Sequence, residues 1–560
     1  MEIRIFLKKR VEEALIELFG AQSVIAAGGI ILDIPKNRQF GSFSTNAAFI
    51  VSKKLGQPPL EIAGRIRETM QSALKQDAVF SEKVEKITVE APGFINFFLS
   101  KSYLTELLRQ INEEKDDFGR LKLGKGAGVH MEFVSANPTG PLNVAHGRQA
   151  AFGDSLANIL EFAGYKVHRE YYLNDEGVQI NILGESVRAR YLQALGIDAR
   201  FPELGYQGKY IESLSRKVAE KYGRQFIEDN KDNRAFFSQF AQNSILDEIK
   251  EDLRAFGVEF NQWFSQKSLN ETGSIDKVLA FLKEKEFVYE KEGAWWLAST
   301  RFGDDKDRVV IKSDGSWTYI TPDIAYHQTK FQRGFSQMIN IWGPDHHGYI
   351  PRMKAAISAL GYSPESVSFL IAQLVSLASA DQIIPMSTRM GQYVSLADIL
   401  RAVGKDAARF FFLMRKRDSH LQFDLELAKK QSLDNPVYYI QYAYARILNI
   451  LKFAQDPANT RETPQVKELV LLDTPEETML IQTLIQFPMI VESCALNLEP
   501  HGLTVYLQEL AGAFHHYYEK HRVVTDNAAL TQARLFLINA VRIVLNNSLR
   551  LLSISAPEKM

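Results

Sequence analysis

Apolar residues recur at helical spacing over Ile5–Leu18, so a helix packed along one face is predicted there. A short strand at Ile30–Ile34, a Gly/Ser turn at Gly41–Ser44, a helix over Pro59–Leu74 and an apolar strand at Phe94–Leu99 follow. Together they make a small α+β unit over residues 1–115. The Gly- and Lys-rich stretch Arg120–Gly128 reads as a linker.

Residues 116–425 change pattern. A strand at His130–Ser135, a helix over Gly147–Ala163 and a strand at Tyr165–Leu173 come in that order. Strand–helix–strand predicts a parallel, doubly wound sheet, with ligands at the carboxyl ends of its strands. Residues 185–290 are mostly charged and are predicted to form a helical insertion that interrupts the sheet. A hairpin is expected from Val309–Lys312 and Trp317–Ile320 around Asp314-Gly315. Residues 426–560 read as helix after helix, and Leu535, Ile538, Val541, Leu545, Leu549 and Leu552 mark one buried stripe.

Length supports this division, since 560 residues exceed one hydrophobic core and suggest about three or four domains. The opening MEIRIFLKKR has no uninterrupted apolar run, so no secretory signal is expected, and no window reaches the ~18 apolar residues of a membrane span. A single cysteine, Cys494, excludes an internal disulfide and a multi-cysteine zinc site. These features lead to the expectation of a cytoplasmic protein without a membrane partner. The net charge of −1 leaves nucleic acid open, because phosphate is neutralised locally. Lys8–Arg10, Lys53–Lys54, Arg120/Lys122/Lys125 and Arg415–Arg417 are the candidate basic clusters, although each alone reads as a solvated helix face.

The chemistry is densest in Glu132–Arg148 (EFVSANPTGPLNVAHGR). Asn137-Pro138-Thr139-Gly140-Pro141 forces the chain out of the sheet, since the prolines cannot extend a ladder. A helix beginning near Ala145–Gly147 then turns its amide-rich end toward the strand, where phosphate is favoured. On these grounds a nucleotide site and an ordinary βα loop both remain open.

The segment resembles the His-x-Gly-His signature of class I aminoacyl-tRNA synthetases, in the form found in the arginyl-tRNA synthetase family. The resemblance extends through Tyr172–Asp175, Phe302–Arg308, Tyr319–His327 (YITPDIAYH), Trp342–Arg352 (WGPDHHGYIPR), Asn435–Arg446 (NPVYYIQYAYAR) and the closing Ser555–Met560. It implies an ATP-dependent activation of L-arginine to arginyl-adenylate and transfer to tRNA(Arg), with ATP as substrate and Mg2+ accompanying it. It implies a Rossmann-like catalytic domain at 116–425, flanked by an N-terminal α+β tRNA-contacting domain and an all-α anticodon-binding domain, in a monomer.

The family's arginine-reading groups fall on Glu132 and Asp323 as carboxylates, Tyr319 against the side chain, and Asn137 at the substrate's amino or carboxylate end. Two fixed carboxylates suit a planar cation with five donors. Tyr319 and Asp323, four apart, would share one helical turn. ATP contacts are implied for Pro138, Thr139, Gly140, Ala145, Gly147, Gly343, Asp345, His346 and Met386. Catalytic roles fall on Asn143, His146, Arg148, Ser387 and Arg389. No protein metal site is expected, because the adjacent His346 and His347 point in different directions.

Two departures lie on the ATP side. Asn143-Val144-Ala145-His146 stands for His-x-Gly-His, and Pro385-Met386-Ser387-Thr388-Arg389 stands for Lys-Met-Ser-Lys-Ser. They raise one alternative, a paralogue with weak or lost aminoacylation that binds tRNA or arginine. His515, His516 and His521 lie on a predicted C-terminal helix, and Tyr438, Tyr439, Tyr442 and Tyr444 are placed either to stack on anticodon bases or to pack between helices.

Overall fold

The computed structural model describes residues 2–21, 29–35, 37–379, 382–384, 394–454 and 466–560. Its N-terminal part is an antiparallel sheet of β1 (Leu32–Asp33), β2 (Phe43–Thr45), β3 (Val84–Glu90) and β4 (Phe94–Leu99), in the order β1-β2-β4-β3. Helices Glu2–Phe19, Ala47–Leu55 and Pro59–Gln76 accompany it. The stretch expected to be a plain Gly/Ser turn continues into strand β2, because Ser42 N–H donates to the Phe97 carbonyl (2.8 Å) and ties it to β4. The Gly/Lys stretch 120–128 is docked rather than free. Amides of Leu121, Gly124 and Gly126 donate to the carbonyls of Phe162, Ala163 and Gly164.

The catalytic body is built on five parallel strands. They are β5 (Gly128–Glu132), β6 (Lys166–Leu173), β7 (Gln262–Ser265), β11 (Gln337–Trp342) and β12 (Val367–Ile371), in the order β12-β11-β5-β6-β7. Strand β7 corrects the expectation for residues 185–290. That stretch carries helices Val178–Ala194, Lys209–Tyr222 and Lys231–Ala255, and then returns to the sheet as its edge strand. A four-residue edge strand has no periodicity to announce it among charged helices.

A small antiparallel sheet of β8 (Val288–Lys291), β9 (Ala294–Leu297) and β10 (Arg308–Ile311) follows. The Asp314-Gly315 turn forms, but its second arm is reduced to one bridge between Ile311 and Trp317. Helix Ile320–Gln332 takes over at once, and β10 finds its full partner in β9 instead. A third sheet joins β13 (Val375–Ser379), β14 (Gln382–Ile384) and β15 (Leu421–Asp424).

Beyond residue 435 the described chain is helical. In helix Ala528–Leu551 and its end, Ile538, Val541, Leu545, Leu549 and Leu552 are fully buried and Leu535 partly so. Pro475–Leu496 and Ala528–Leu551 are long and apolar enough to cross a membrane by composition, and more than half of each is packed inside the protein.

A buried arginine fastens these parts together. Arg409, in helix Leu396–Leu413, donates to the carbonyls of Leu552 (2.7 Å) and Phe256 (3.1 Å) and to Asp154 Oδ2 (2.6 Å). Asp154 lies in helix Val144–Phe162, so one side chain joins the catalytic body, the insertion and the C-terminal helices. Arg409→Met takes from the buried Asp154 carboxylate its hydrogen-bonded cation and leaves it only Arg169 Nε at 3.9 Å. The expected loss is about 3–5 kcal/mol of unfolding free energy, measured by denaturant titration of the full chain.

Candidate active site

The centre of the parallel sheet carries a row of polar residues. Asn340 of β11, Glu132 of β5, Glu170 of β6 and Gln262 of β7 stand in register across four neighbouring strands. In-register residues of parallel strands share a face, so all four point to the same side. Buried strands normally read as apolar runs, and here the exception is matched bond by bond.

Helix Ile320–Gln332 covers this face. Lys330 Nζ donates to Glu132 Oε2 (2.7 Å) and to Asn340 Oδ1 (3.2 Å). The Tyr326 hydroxyl donates to Glu170 Oε1 (2.6 Å). Arg333, just past the helix, donates to both Glu170 oxygens (2.6 and 3.0 Å) and to Gln262. His130 Nε2 lies 3.0 Å from Glu170 Oε1. Burial pushes the Glu170 carboxyl up, but its contacts with His130, His168 and Arg333 outweigh this and hold it far below the usual range. Burial drives His130 down to about 3, so its ring is neutral.

His327 extends the network toward Asp323. Its Nδ1 lies 2.8 Å from the Asp323 carbonyl and its Nε2 2.8 Å from the Asn340 side-chain nitrogen. Burial keeps the ring neutral, so the proton sits on Nδ1 and Nε2 accepts from the amide. The Asp323 side chain has a different partner. Tyr349 OH donates to its Oδ2 (2.7 Å), and burial raises its carboxyl to about 7 against the opposing pull of that bond.

Strand β5 stops at Glu132, earlier than the expected Ser135, for a backbone reason. Val134 and Ser135 adopt positive φ values of 69° and 40°, a strained choice for residues with a Cβ. Neighbours hold the kink in place. Ser135 Oγ donates to Glu132 Oε1 (3.3 Å) and accepts from Tyr172 N–H (3.1 Å), while Tyr171 OH donates to the Ala136 carbonyl (2.8 Å).

The loop then passes Asn137, whose amide donates to Gln179 Oε1 (2.9 Å), buried Pro138, half-buried Thr139 and Gly140, and enters helix Val144–Phe162. Asn143 is its N-cap. Its Oδ1 accepts from Ala145 N–H (3.0 Å) and His146 N–H (3.1 Å), while His146 Nδ1 accepts from Asn143 N–H (3.2 Å). This is a reciprocal capping box with His in place of Glu. Burial lowers His146 to about 4. With Nδ1 accepting, the neutral ring carries its proton on Nε2.

Several expected site residues sit differently. Arg148 is buried, and its guanidinium donates to the carbonyls of Gln373 (2.8 Å), Ser419 (2.9 Å) and Lys416 (2.8 Å). It has the geometry of an internal brace rather than a phosphate ligand. Gly147 packs against helix Leu396–Leu413, where a Cβ would meet Leu396 at 2.9 Å. Tyr319 is 75% exposed at the helix start, and the tyrosine on Asp323 is Tyr349. Asp345 and His346 are exposed and 3.4 Å apart just beyond β11, beside Gly343, where a Cβ would meet the Asp345 carboxylate at 2.6 Å. Met386, Ser387 and Arg389 lie outside the described residues.

Tyr349, Lys330, His327 and Gln179 were not singled out from the sequence. Tyr349 and His327 belong to motifs that were recognised, whereas Lys330 offered only a cation one helical turn after Tyr326. Among the described residues, no group of three or more His, Cys, Asp or Glu side chains is placed to hold a metal ion.

Comparison with known proteins follows the same division. Residues 6–99 match the arginyl tRNA synthetase N terminal domain, 108–433 the catalytic domain of tRNA synthetases class I (R), and 440–560 the DALR anticodon binding domain. The chain is 45% identical to an arginine–tRNA ligase of Geobacillus thermodenitrificans, over 99% of both chains. It is 47% identical to that of Desulfosudis oleivorans, over 97% of both. A solved Campylobacter jejuni arginyl tRNA synthetase structure aligns with a TM-score of 0.75 and 34% identity, covering 82% of this chain and all of that one. The chain belongs to the arginyl-tRNA synthetases of class I, and it is an arginine–tRNA ligase that uses ATP.

Proposed function

We propose that Asp323 and Glu132 read the guanidinium of arginine at the carboxyl ends of the central strands. The observation that carries this reading is the pair of carboxylates beside the carboxyl end of β5, Glu132 held through Oε2 by Lys330 and Asp323 through Oδ2 by Tyr349. Tyr349 orients Asp323, and Asn137, steadied by Gln179, holds the amino or carboxylate end of the substrate. Exposed Tyr319 sits at the pocket entrance and packs on the bound side chain.

ATP then lies across the start of helix Val144–Phe162. Pro138, Thr139 and Gly140 shape the turn beneath it, Ala145 faces the base, and Gly343, Asp345 and His346 line the ribose side. The His146 Nε2–H and the Asn143 amide donate toward the phosphates. Met386 contacts the nucleotide, and Ser387 and Arg389 act on pyrophosphate. Arg148 is a positioning residue that ties the helix to the loops beside β12 and β15. Mg2+ enters on the nucleotide, since this ion keeps its waters and binds chiefly through substrate phosphates.

In the reaction, the arginine carboxylate attacks the α-phosphorus and pyrophosphate leaves. A hydroxyl of the terminal tRNA ribose then attacks the arginyl carbonyl and AMP leaves. No side chain is acylated, so catalysis rests on positioning and on donors aimed at the phosphoryl oxygens. Residues 1–115 contact the outer part of the tRNA, 116–425 perform the chemistry, and 426–560 bind the anticodon region, in a cytoplasmic monomer.

Asp323→Asn removes the charge opposite the guanidinium. Arginine-dependent pyrophosphate exchange with tRNA present should fall by roughly 30-fold or more, the cost of truncating a buried charge pair; exchange within twofold of wild type would refute the assignment. Arginine binding should also depend on pH. The free Asp323 carboxyl ionises near 7 and the guanidinium selects the ionised form. Affinity should therefore drop about tenfold per unit below that point, with proton release on binding near pH 7, both readable by calorimetry. Asn143→Ala removes the helix cap, worth about 1 kcal/mol. The KM for ATP should rise while the KM for arginine stays unchanged.

A further inference from the structure

Lys330 is 0% exposed, so it cannot touch a substrate. Its ammonium nevertheless has three definite partners: Glu132 Oε2 at 2.7 Å, Asn340 Oδ1 at 3.2 Å and the Tyr326 ring, whose centroid is 4.0 Å away. In the polar row, Lys330 matches Glu132 and Arg333 matches Glu170. Asp323, at the open end, has a hydroxyl partner but no cation among the described residues. The pocket thus offers one unmatched negative charge and two further acceptor oxygens, Asp323 Oδ1 and Glu132 Oε1, the latter held by Ser135 Oγ at 3.3 Å.

Resting on the assignment of Glu132 and Asp323 to the arginine side chain, we propose that Lys330 is a specificity-determining positioning residue. By matching Glu132 it leaves the site the single negative charge that one guanidinium balances. It also pins Glu132 so that Oε1 is the second acceptor for the planar fork.

The charge logic has a consequence. Without Lys330, two carboxylates would share one desolvated pocket, and one of them would keep its proton to higher pH. The groups facing Asp323 are Tyr349 from the turn after β11, Glu132 from β5, Tyr172 from β6, and His327 and Lys330 from its own helix. Lys330 in turn faces Glu132, Glu170, Arg333 and Tyr326. Of all these, Lys330 is the cation that draws Asp323 toward ionisation, and Glu132 opposes it.

The test is calorimetric titration of arginine into the full-length protein from pH 6 to 9, for wild type, K330M, E132Q, E132Q/K330M and D323N. K330M should bind arginine about fivefold more weakly at pH 7 yet within about twofold of wild type at pH 9, the signature of a midpoint moved up by about one unit. E132Q should move the midpoint down, and E132Q/K330M, which removes both charges, should return it to the wild-type position. A K330M defect equal at every pH, or a double variant whose midpoint does not return, would overturn the proposal. Should K330M not fold, the comparison of E132Q with E132Q/K330M decides alone, and equal midpoints overturn it. D323N separates the two levels: arginine affinity untouched in D323N defeats the pocket assignment itself, whereas a lost affinity with an unmoved K330M midpoint defeats only the role of Lys330.

Discussion

Everything around the active site depends on matching charge inside a sheet that has no water to help. Two carboxylates on adjacent strands, Glu132 and Glu170, stand side by side in register, and both are buried. An unpaired buried charge costs several kcal/mol even after relaxation, so these strands can pair only with a cover that brings two cations. Helix Ile320–Gln332 and the residue after it bring Lys330 and Arg333, with Tyr326 completing the set. A slip of one residue along that helix would turn all three away from the row. The ion pairs thereby fix where the helix lies, and Asp323, one turn from its start, is carried to the carboxyl end of the sheet.

The kink after β5 belongs to the same arrangement. Val134 and Ser135 adopt left-handed backbone conformations that relaxed chain would avoid. What they achieve is a sharp exit that leaves Glu132 at the rim and starts a new helix ten residues later. Hydrogen bonds from Tyr171, Tyr172 and Ser135 stabilise the kink from three sides. Strain is thus concentrated where the two proposed ligand subsites would meet, and the surrounding network compensates for it.

Much of this was legible in the sequence where a long period or a long motif carried it. The C-terminal stripe from Ile538 to Leu552 was readable because a buried helix face repeats every three or four residues. The βα turn at Asn137–Pro141 was readable because proline and glycine restrict backbone directly. Strand β7 was hidden by its four-residue length, and the hairpin at Asp314-Gly315 lost its second arm to a helix that competes for the same residues. Site roles were harder. Tyr319 and Tyr349 are equally plausible by type, and only the tertiary fold puts the hydroxyl of Tyr349 on Asp323. Likewise no local pattern could show that Arg148 donates to carbonyls more than 200 residues away.

The departures on the ATP side look different once the helix start is considered as a structural joint. A residue at position 143 has to satisfy orphan amides at the N-terminus of Val144–Phe162, and an asparagine oxygen does this well. That leaves the Asn143 amide nitrogen, a donor, as its remaining polar function. His146 is used in a similar way, since its Nδ1 closes the capping box and only Nε2–H is left outward. Both groups are neutral donors whose orientation is set by bonds to the backbone. The amides of Ala145 and His146 are already spent on the Asn143 oxygen, so under the proposed placement of ATP the charge that pyrophosphate requires must come from cationic side chains elsewhere. Donors fixed in this way by a helix cap need less reorganisation than flexible side chains when a phosphoryl group moves.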